Sequence, residues 1–261
     1  MGVSGAGLAT VVGCVVQMVV MGSHFLGKKC TLRMVPLKQV MQPACGILSV
    51  GMGASIINFA TIFINILMNN QIMRYGSATD LAIYGVIATI AAVFQSIFSG
   101  MGQSVQPLIS ANLGARRPKR IAVFGQMAFT TVVLTGIGFL ALGLLFPTEI
   151  MRLFIAVDDA ILAAAPHIVY LYFPLFLFQG ICVLSIYYLQ SILRATQATV
   201  LALARSAVLS GVFLILLPIV LKMDGVWLAQ PFAEALTAAL ALVFVWQSRS
   251  VLRRLRESPP V

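Results

Sequence analysis

Long apolar runs alternate with short polar breaks along the chain, and seven of the runs are long enough to form helices that cross a membrane. They cover about Gly5–Phe25, Ala44–Met73, Asp80–Leu113, Ile121–Phe146, Pro166–Leu193, Thr199–Leu221 and Gly225–Gln247. A helix rising about 1.5 Å per residue needs about 20 residues to span a hydrocarbon core of about 30 Å. The breaks carry turn and charge punctuation: "RYGSATD" (74–80), "ARRPKR" (115–120), "FPTE" (146–149) and "KMDG" (222–225), where Gly225 suits a helix start or a tight turn. The pattern predicts an all-α membrane protein, a polytopic helical bundle of about seven transmembrane helices.

Polar residues inside the runs are ordered. In the second run Ser55, Asn58, Asn65 and Asn69 share one helical face, and in the third Gln95, Ser99, Gln103, Gln106 and Ser110 do the same. Amides turned to lipid would leave donors and acceptors unpaired at several kcal/mol each, so both stripes must face other helices or a water-filled cavity. Two readings stand: interhelical hydrogen bonding, at roughly 1 kcal/mol per contact, or a solvated path for a polar or amphipathic solute. Pro107, one residue after Gln106, removes a backbone donor and makes a candidate hinge. Pro174 lies in apolar, aromatic surroundings and has less support as one.

A single carboxylate, Glu234, lies well inside a run, about 14 Å along its helix from Gly225. Gln230 sits one turn earlier on the same face. Intramembrane acids line pathways or relay protons, so Glu234 and Gln230 are candidate ion-coupling residues; the alternative is a structural glutamate bonded to Gln230 or to an amide of the third run. His24, His167, Trp227 and Trp246 lie near span ends, where interfacial anchoring accounts for them.

Composition agrees with the span pattern: of 261 residues, 60% are hydrophobic and 9% charged, with a mean hydropathy of +1.01. The formal net charge of +10 is distributed by loop. Counting Arg194 and Arg205 as flanks of the fifth-to-sixth turn, fourteen basic residues fall on one side and three on the other. The positive-inside rule then places the C-terminus in the cytoplasm, and the protein in a plasma (inner) membrane. A patch for nucleic acid would not alternate with the spans, so no nucleic-acid partner is expected. The N-terminus falls outside, which suggests sequence missing upstream. Cys14, Cys30, Cys45 and Cys182 have neither metal-ligand nor CxxC spacing, and no catalytic motif appears, so no metal, cofactor or enzymatic activity is expected.

"GMGQSVQPLISANLGA" (100–115) with the basic loop after it resembles the eighth helix of the MATE (multidrug and toxic compound extrusion) transporters. "FINILMNNQIMRYG" (63–76) resembles the family's seventh helix, "ALARSAVLSGVFLILLPIVL" (202–221) its eleventh, and "GVWLAQPFAEAL" (225–236) the start of its twelfth. "MGVSGAGLATVVGCVVQ" (1–17) is similar to the lead-in and first half of the sixth. The resemblance implies this organisation: residues 1–27, the last helix of an N-terminal lobe otherwise missing; 28–43, a cytoplasmic interlobe linker; 44–248, a six-helix C-terminal lobe; 249–261, a basic cytoplasmic tail.

It further implies efflux of small cationic or amphipathic compounds by antiport with H+ or Na+, and a second lobe supplied by missing sequence or by another chain. Asn58, Asn65, Asn69, Gln103 and Gln106 would line the cavity. Acids that some members carry in the seventh and tenth helices have no counterpart in 44–73 or 166–193, and Leu193 stands where the family often has glycine. Three alternatives were open at this level. A flippase for lipid-linked oligosaccharides shares the broad fold but needs several cationic residues for a pyrophosphate, and the span interiors show none clearly placed. An intramembrane enzyme needs more than one acid. A half-transporter remnant would insert and move nothing.

Overall fold

The computed structural model describes residues 2–26, 59–152 and 159–257. Asn58 and Ser55, in the polar stripe of the second run, lie outside the described residues. The chain divides into two compact units, Met1–Met52 and Gly53–Val261. In the first, α1 (Gly2–Leu26) is a single helix whose described side chains from Gly7 to Ser23 are exposed.

The second unit is built from α2 (59–75), α3 (Ala78–Gly114), α4 (Pro118–Leu145), α5 (Pro147–Arg152), α6 (Asp159–Tyr172), α7 (Leu175–Ser191), α8 (Ala195–Leu203), a π-turn (Ala204–Leu209) and α9 (Ser210–Glu257). Among the described residues, Ala78–Gly114, Pro118–Leu145, Ala164–Ser191 and Ala195–Ser248 are long and apolar enough to cross a membrane. The last of these reverses at Lys222, which has φ 52° and ψ −127°, so it makes two passes.

Helix α7 is the hub, packing against α3, α4, α8 and α9. Its sequence, LFLFQGICVLSIYYLQS, is apolar on nearly every side, as a helix surrounded by others must be. Facing it, α4 buries Gly125, Ala128, Val132, Gly136 and Gly143, small side chains that let two backbones approach closely. A Cβ on Gly136 would stand 2.9 Å from the Phe176 carbonyl oxygen and 3.2 Å from the Leu177 Cα. The opposite face of α4 shows Val123, Met127 and Leu134 outward, as lipid contact requires.

The fifth run is one span, Ala164–Ser191, in which Pro174 interrupts the hydrogen-bond ladder and sets α6 off from α7. Trp227 is no interfacial anchor: it is 1% exposed, and its ring lies 6.3 Å from that of Tyr84 in a core shared by α2, α3, α6, α7 and α9. Trp246 is exposed, as an anchor would be. The His167 Nε2 and Asp224 Oδ1 are hydrogen-bonded at 2.9 Å beside the Lys222 reversal.

Helices α3 and α7 end alike. The Arg117 N–H donates to the Asn112 carbonyl at 2.9 Å, and the Arg194 N–H to the Leu189 carbonyl at 2.9 Å. In each turn the preceding residue is left-handed, Arg116 at φ 51° and Leu193 at φ 61°. This is the helix stop that glycine ordinarily makes. The turn after α7 thus keeps its shape with leucine at its strained position. Leu193 is 82% exposed and loses little packing on truncation. Leu193→Gly is expected to stabilise the protein by about 1 kcal/mol, read as a higher unfolding midpoint in detergent micelles.

Candidate functional site

Four spans each contribute one polar side chain from near their middle, and the four meet. Gln95 lies midway along α3, Gln179 in α7, Arg205 in the π-turn between α8 and α9, and Glu234 midway between the Lys222 reversal and Ser248. The Arg205 Nε donates to Glu234 Oε1 in a close ion pair, with side-chain exposures of 20% and 5%. Its Nη2 donates to Gln95 Oε1 at 2.8 Å, and that same oxygen accepts from Gln179 Nε2 at 2.7 Å. Gln95 Nε2 in turn donates to Ser99 Oγ at 3.2 Å. One amide oxygen therefore holds α3, α7 and the π-turn together.

The π-turn sets Arg205 in place. Ser210 Oγ donates to the Arg205 carbonyl at 2.6 Å and lies 3.3 Å from Gln230 Oε1. Wide turns of this kind recur at functional positions. Cys182 Sγ donates to the Glu234 backbone carbonyl at 3.5 Å, which fastens α7 to α9 at the same level. Two acceptors in this layer, Glu234 Oε2 and Gln179 Oε1, are buried without a hydrogen-bond partner.

Arg205 is thus no flank of a cytoplasmic turn. Thirteen, not fourteen, basic residues remain on that side once it is removed, and the expectation that no cation is clearly placed in a span interior is overturned. Its depth is legible in retrospect. Arg205 lies eleven residues beyond Arg194, about 16 Å of helix, close to the depth that marks Glu234 as intramembrane. Glu234 is bonded to Arg205, and Gln230 to Ser210, so the two do not pair with each other.

The α3 stripe faces α7 at three levels: Gln95 on Gln179, Gln103 Nε2 donating to Tyr187 OH at 3.3 Å, and Ser110 Oγ donating to the Ser191 carbonyl at 3.4 Å. Interhelical bonding accounts for those contacts. A Cβ on Gly102 would fall inside the Tyr187 ring, so glycine there lets the ring lie on α3 beside Gln103. Gln103 itself remains exposed, Gln106 is half-buried, and Pro107 sits in an exposed stretch of a helix that continues through it. On α2, Ile64, Met68 and Ile72 pack into the core, whereas Asn65 and Asn69 are exposed beside Phe63 and Ile66. Asn65, Asn69 and Gln103 thus lie on the bundle surface, apart from the buried Arg205–Glu234 layer. Among the described residues no group of three His, Cys, Asp or Glu is placed to hold a metal ion.

No curated protein matches the sequence. Among solved structures, the chain is similar to a MOP superfamily transporter from Pyrococcus furiosus at 18% identity and a TM-score of 0.80, covering 99% of this chain and 58% of that one. A structure described as the outward-facing conformation of a multidrug resistance MATE family transporter matches with the same identity, score and coverage. One described as the inward-facing conformation matches at 18% identity and a TM-score of 0.77, covering 100% of this chain and 60% of that one. The chain therefore spans about three-fifths of the length of these transporters, and at such identity the likeness establishes the fold. Residues 54–218, more than half of the sequence, match the MatE family. With its apolar spans and this fold, the chain is a multi-pass membrane protein that belongs to the MatE family.

Proposed function

We propose that the chain supplies one lobe of a secondary transporter that exports small cationic or amphipathic compounds in exchange for H+ or Na+. The observation that carries this reading is the exposure of Asn65, Asn69 and Gln103 within apolar spans. Amides in that position are costly against lipid and stable against water, so a wet cleft, closed on its far side by a second lobe, accounts for them. That lobe comes from sequence upstream or from another chain. The likeness to outward- and inward-facing transporters alike supports a bundle that moves as a body between two states.

Charge distribution supports a cytoplasmic C-terminus in an inner membrane. The Arg205–Glu234 pair favours the exporter over a flippase, because the cation in the polar layer is neutralised and has no charge to spare for a pyrophosphate. Glu234, with Oε2 buried and unpartnered, is the residue through which this lobe would exchange an ion, and Gln230 reaches the same layer through Ser210. Pro107, whose missing N–H frees the Gln103 carbonyl, is the proposed bending point beside the cleft.

The test uses inverted vesicles holding the chain together with an N-terminal lobe, and a fluorescent lipophilic cation as probe. Dye uptake driven by an imposed pH or Na+ gradient is the expected result; uptake equal to that of vesicles lacking the chain refutes the exporter. Asn65→Leu and Asn69→Leu are each expected to slow uptake about fivefold through loss of about 1 kcal/mol of polar contact. Glu234→Gln keeps an acceptor for Arg205, so undiminished ion-driven uptake in that variant removes Glu234 from coupling.

A further inference from the structure

We infer that one exposed flank of α4 is a contact surface for a second copy of this chain, with the Gln126 amides of the two copies hydrogen-bonded to each other across a two-fold axis. The helix enters the apolar region after Lys119 and Arg120, and Gln126 follows Arg120 by six residues, about 9 Å of helix. Thr130 comes one turn later. Both side chains are exposed, and neither makes a hydrogen bond among the described residues. Their neighbours differ: Thr131 and Thr135 donate back to the Met127 and Thr131 carbonyls, at 2.8 and 2.9 Å. An unpaired amide in an apolar span is costly against lipid.

This flank is separate from the proposed cleft. Phe139 packs against Phe94 and Phe98 of α3, and Ala128 and Val132 join Phe98 in one buried cluster. Gly136 faces α7. With 3.6 residues per turn, Gln126 stands roughly 120–160° around the helix from Ala128, Val132 and Phe139. Gln103 lies on α3 and Asn65 and Asn69 on α2, so a lobe seated over those amides leaves the Gln126 flank open.

The chemistry of the flank selects a like partner. Val123, Thr130, Ile137 and Leu144 recur every seven residues and are all exposed, and Gln126 and Val133 stand three residues after the first two. That is the spacing of a seam between two left-handed, near-parallel helices. Between Val123 and Leu144 the helix carries no charge, so no charged partner is called for. A primary amide holds donor and acceptor on one group, so each Gln126 can give one bond to its counterpart and accept one. Common membrane topology makes the two copies parallel, which sets both amides at one depth. It also brings the two Lys119 side chains together, because Lys119 lies seven residues before Gln126 on the same flank. These stand at headgroup level, where salt screens their repulsion.

The experiment reconstitutes donor-labelled and acceptor-labelled full-length chain in phosphatidylcholine vesicles and reads energy transfer over a range of protein-to-lipid ratios. A saturable dimer is expected, tightening as salt rises. Gln126→Leu should weaken it about tenfold, and Gln126→Asn, which keeps the amide, by less. Thr131→Val, on the opposite flank of the exposed surface, should leave it unaltered. Energy transfer no greater than random mixing gives overturns the assignment. So does a Gln126→Leu variant that associates as the native chain does, since association would then use another face, that of the α2 and α3 amides included. A dimer that weakens as salt rises would be held by charged groups, and overturns the amide pair. Gln126→Leu removes no contact within the bundle, and the density and salt series use only the native chain, so a poorly folding variant does not protect the claim.

Discussion

Arg205→Leu is expected to destabilise the bundle by about 3–5 kcal/mol, and Glu234→Leu by a similar amount. The magnitude follows from burial. The pair is withdrawn from solvent, with 20% and 5% of its side chains exposed, so removal of either partner leaves the other charge without compensation. Loss of Arg205 also removes a donor from Gln95 Oε1, which then holds only Gln179. Replacing both residues with leucine should recover most of the loss, because an apolar pair avoids the desolvation that the ion pair must offset. Reversible unfolding of the two single variants and the double variant in mixed micelles closes the cycle. A cost below about 1 kcal/mol for each single change would mean that water reaches the pair as it does a surface bridge. In that case the Arg205 layer belongs to the open cleft. Otherwise the pair is shielded from water in this state, and ion exchange at Glu234 requires the state in which the cleft reaches it.

The reasons why some of this was legible and some was not are specific. Apolar length and turn punctuation locate α3 and α4 to within a few residues, because a helix in lipid has no freedom to be short or polar. The amides of α3 announce a partner, and α7 is that partner. Arg205 is misassigned because a cation near a turn reads as a loop charge, and its partner lies 29 residues away in sequence. Glu234 is recognised because it stands alone in an apolar run. Applying the same rise per residue to Arg205 from the turn at Arg194 places both at one depth. Trp227 misleads for a related reason, since aromatic residues near span ends are usually interfacial, but the Lys222 reversal tucks this one under Tyr84. Nothing in local sequence marks Leu193, Arg116 or Lys222 as left-handed, because none is glycine or asparagine.

Gly225→Ala should cost about 3 kcal/mol or more, beyond ordinary overpacking, because backbone and not a side chain stands in the way. The chain reverses at Lys222, and the helix that follows turns back against the one it has just left. A Cβ at 225 would lie 2.5 Å from the Leu217 carbonyl carbon and 2.8 Å from the Pro218 nitrogen. Pro218 cannot yield, since its ring fixes φ. Relief would require the reversal to open. That would draw Val226, Trp227 and Ala229 from the core and carry Asp224 away from His167. Gly85→Ala and Gly138→Ala supply the comparison: neither has any atom within 4 Å of the added carbon, so each should be neutral or slightly stabilising through helix propensity. Midpoints for the three variants in one detergent separate the readings. A Gly225→Ala loss no larger than those of the two controls would show that the reversal relaxes freely and that Lys222, not the glycine, determines its geometry. A large loss that a second substitution, Leu217→Ala, fails to relieve is the signature of contact with backbone.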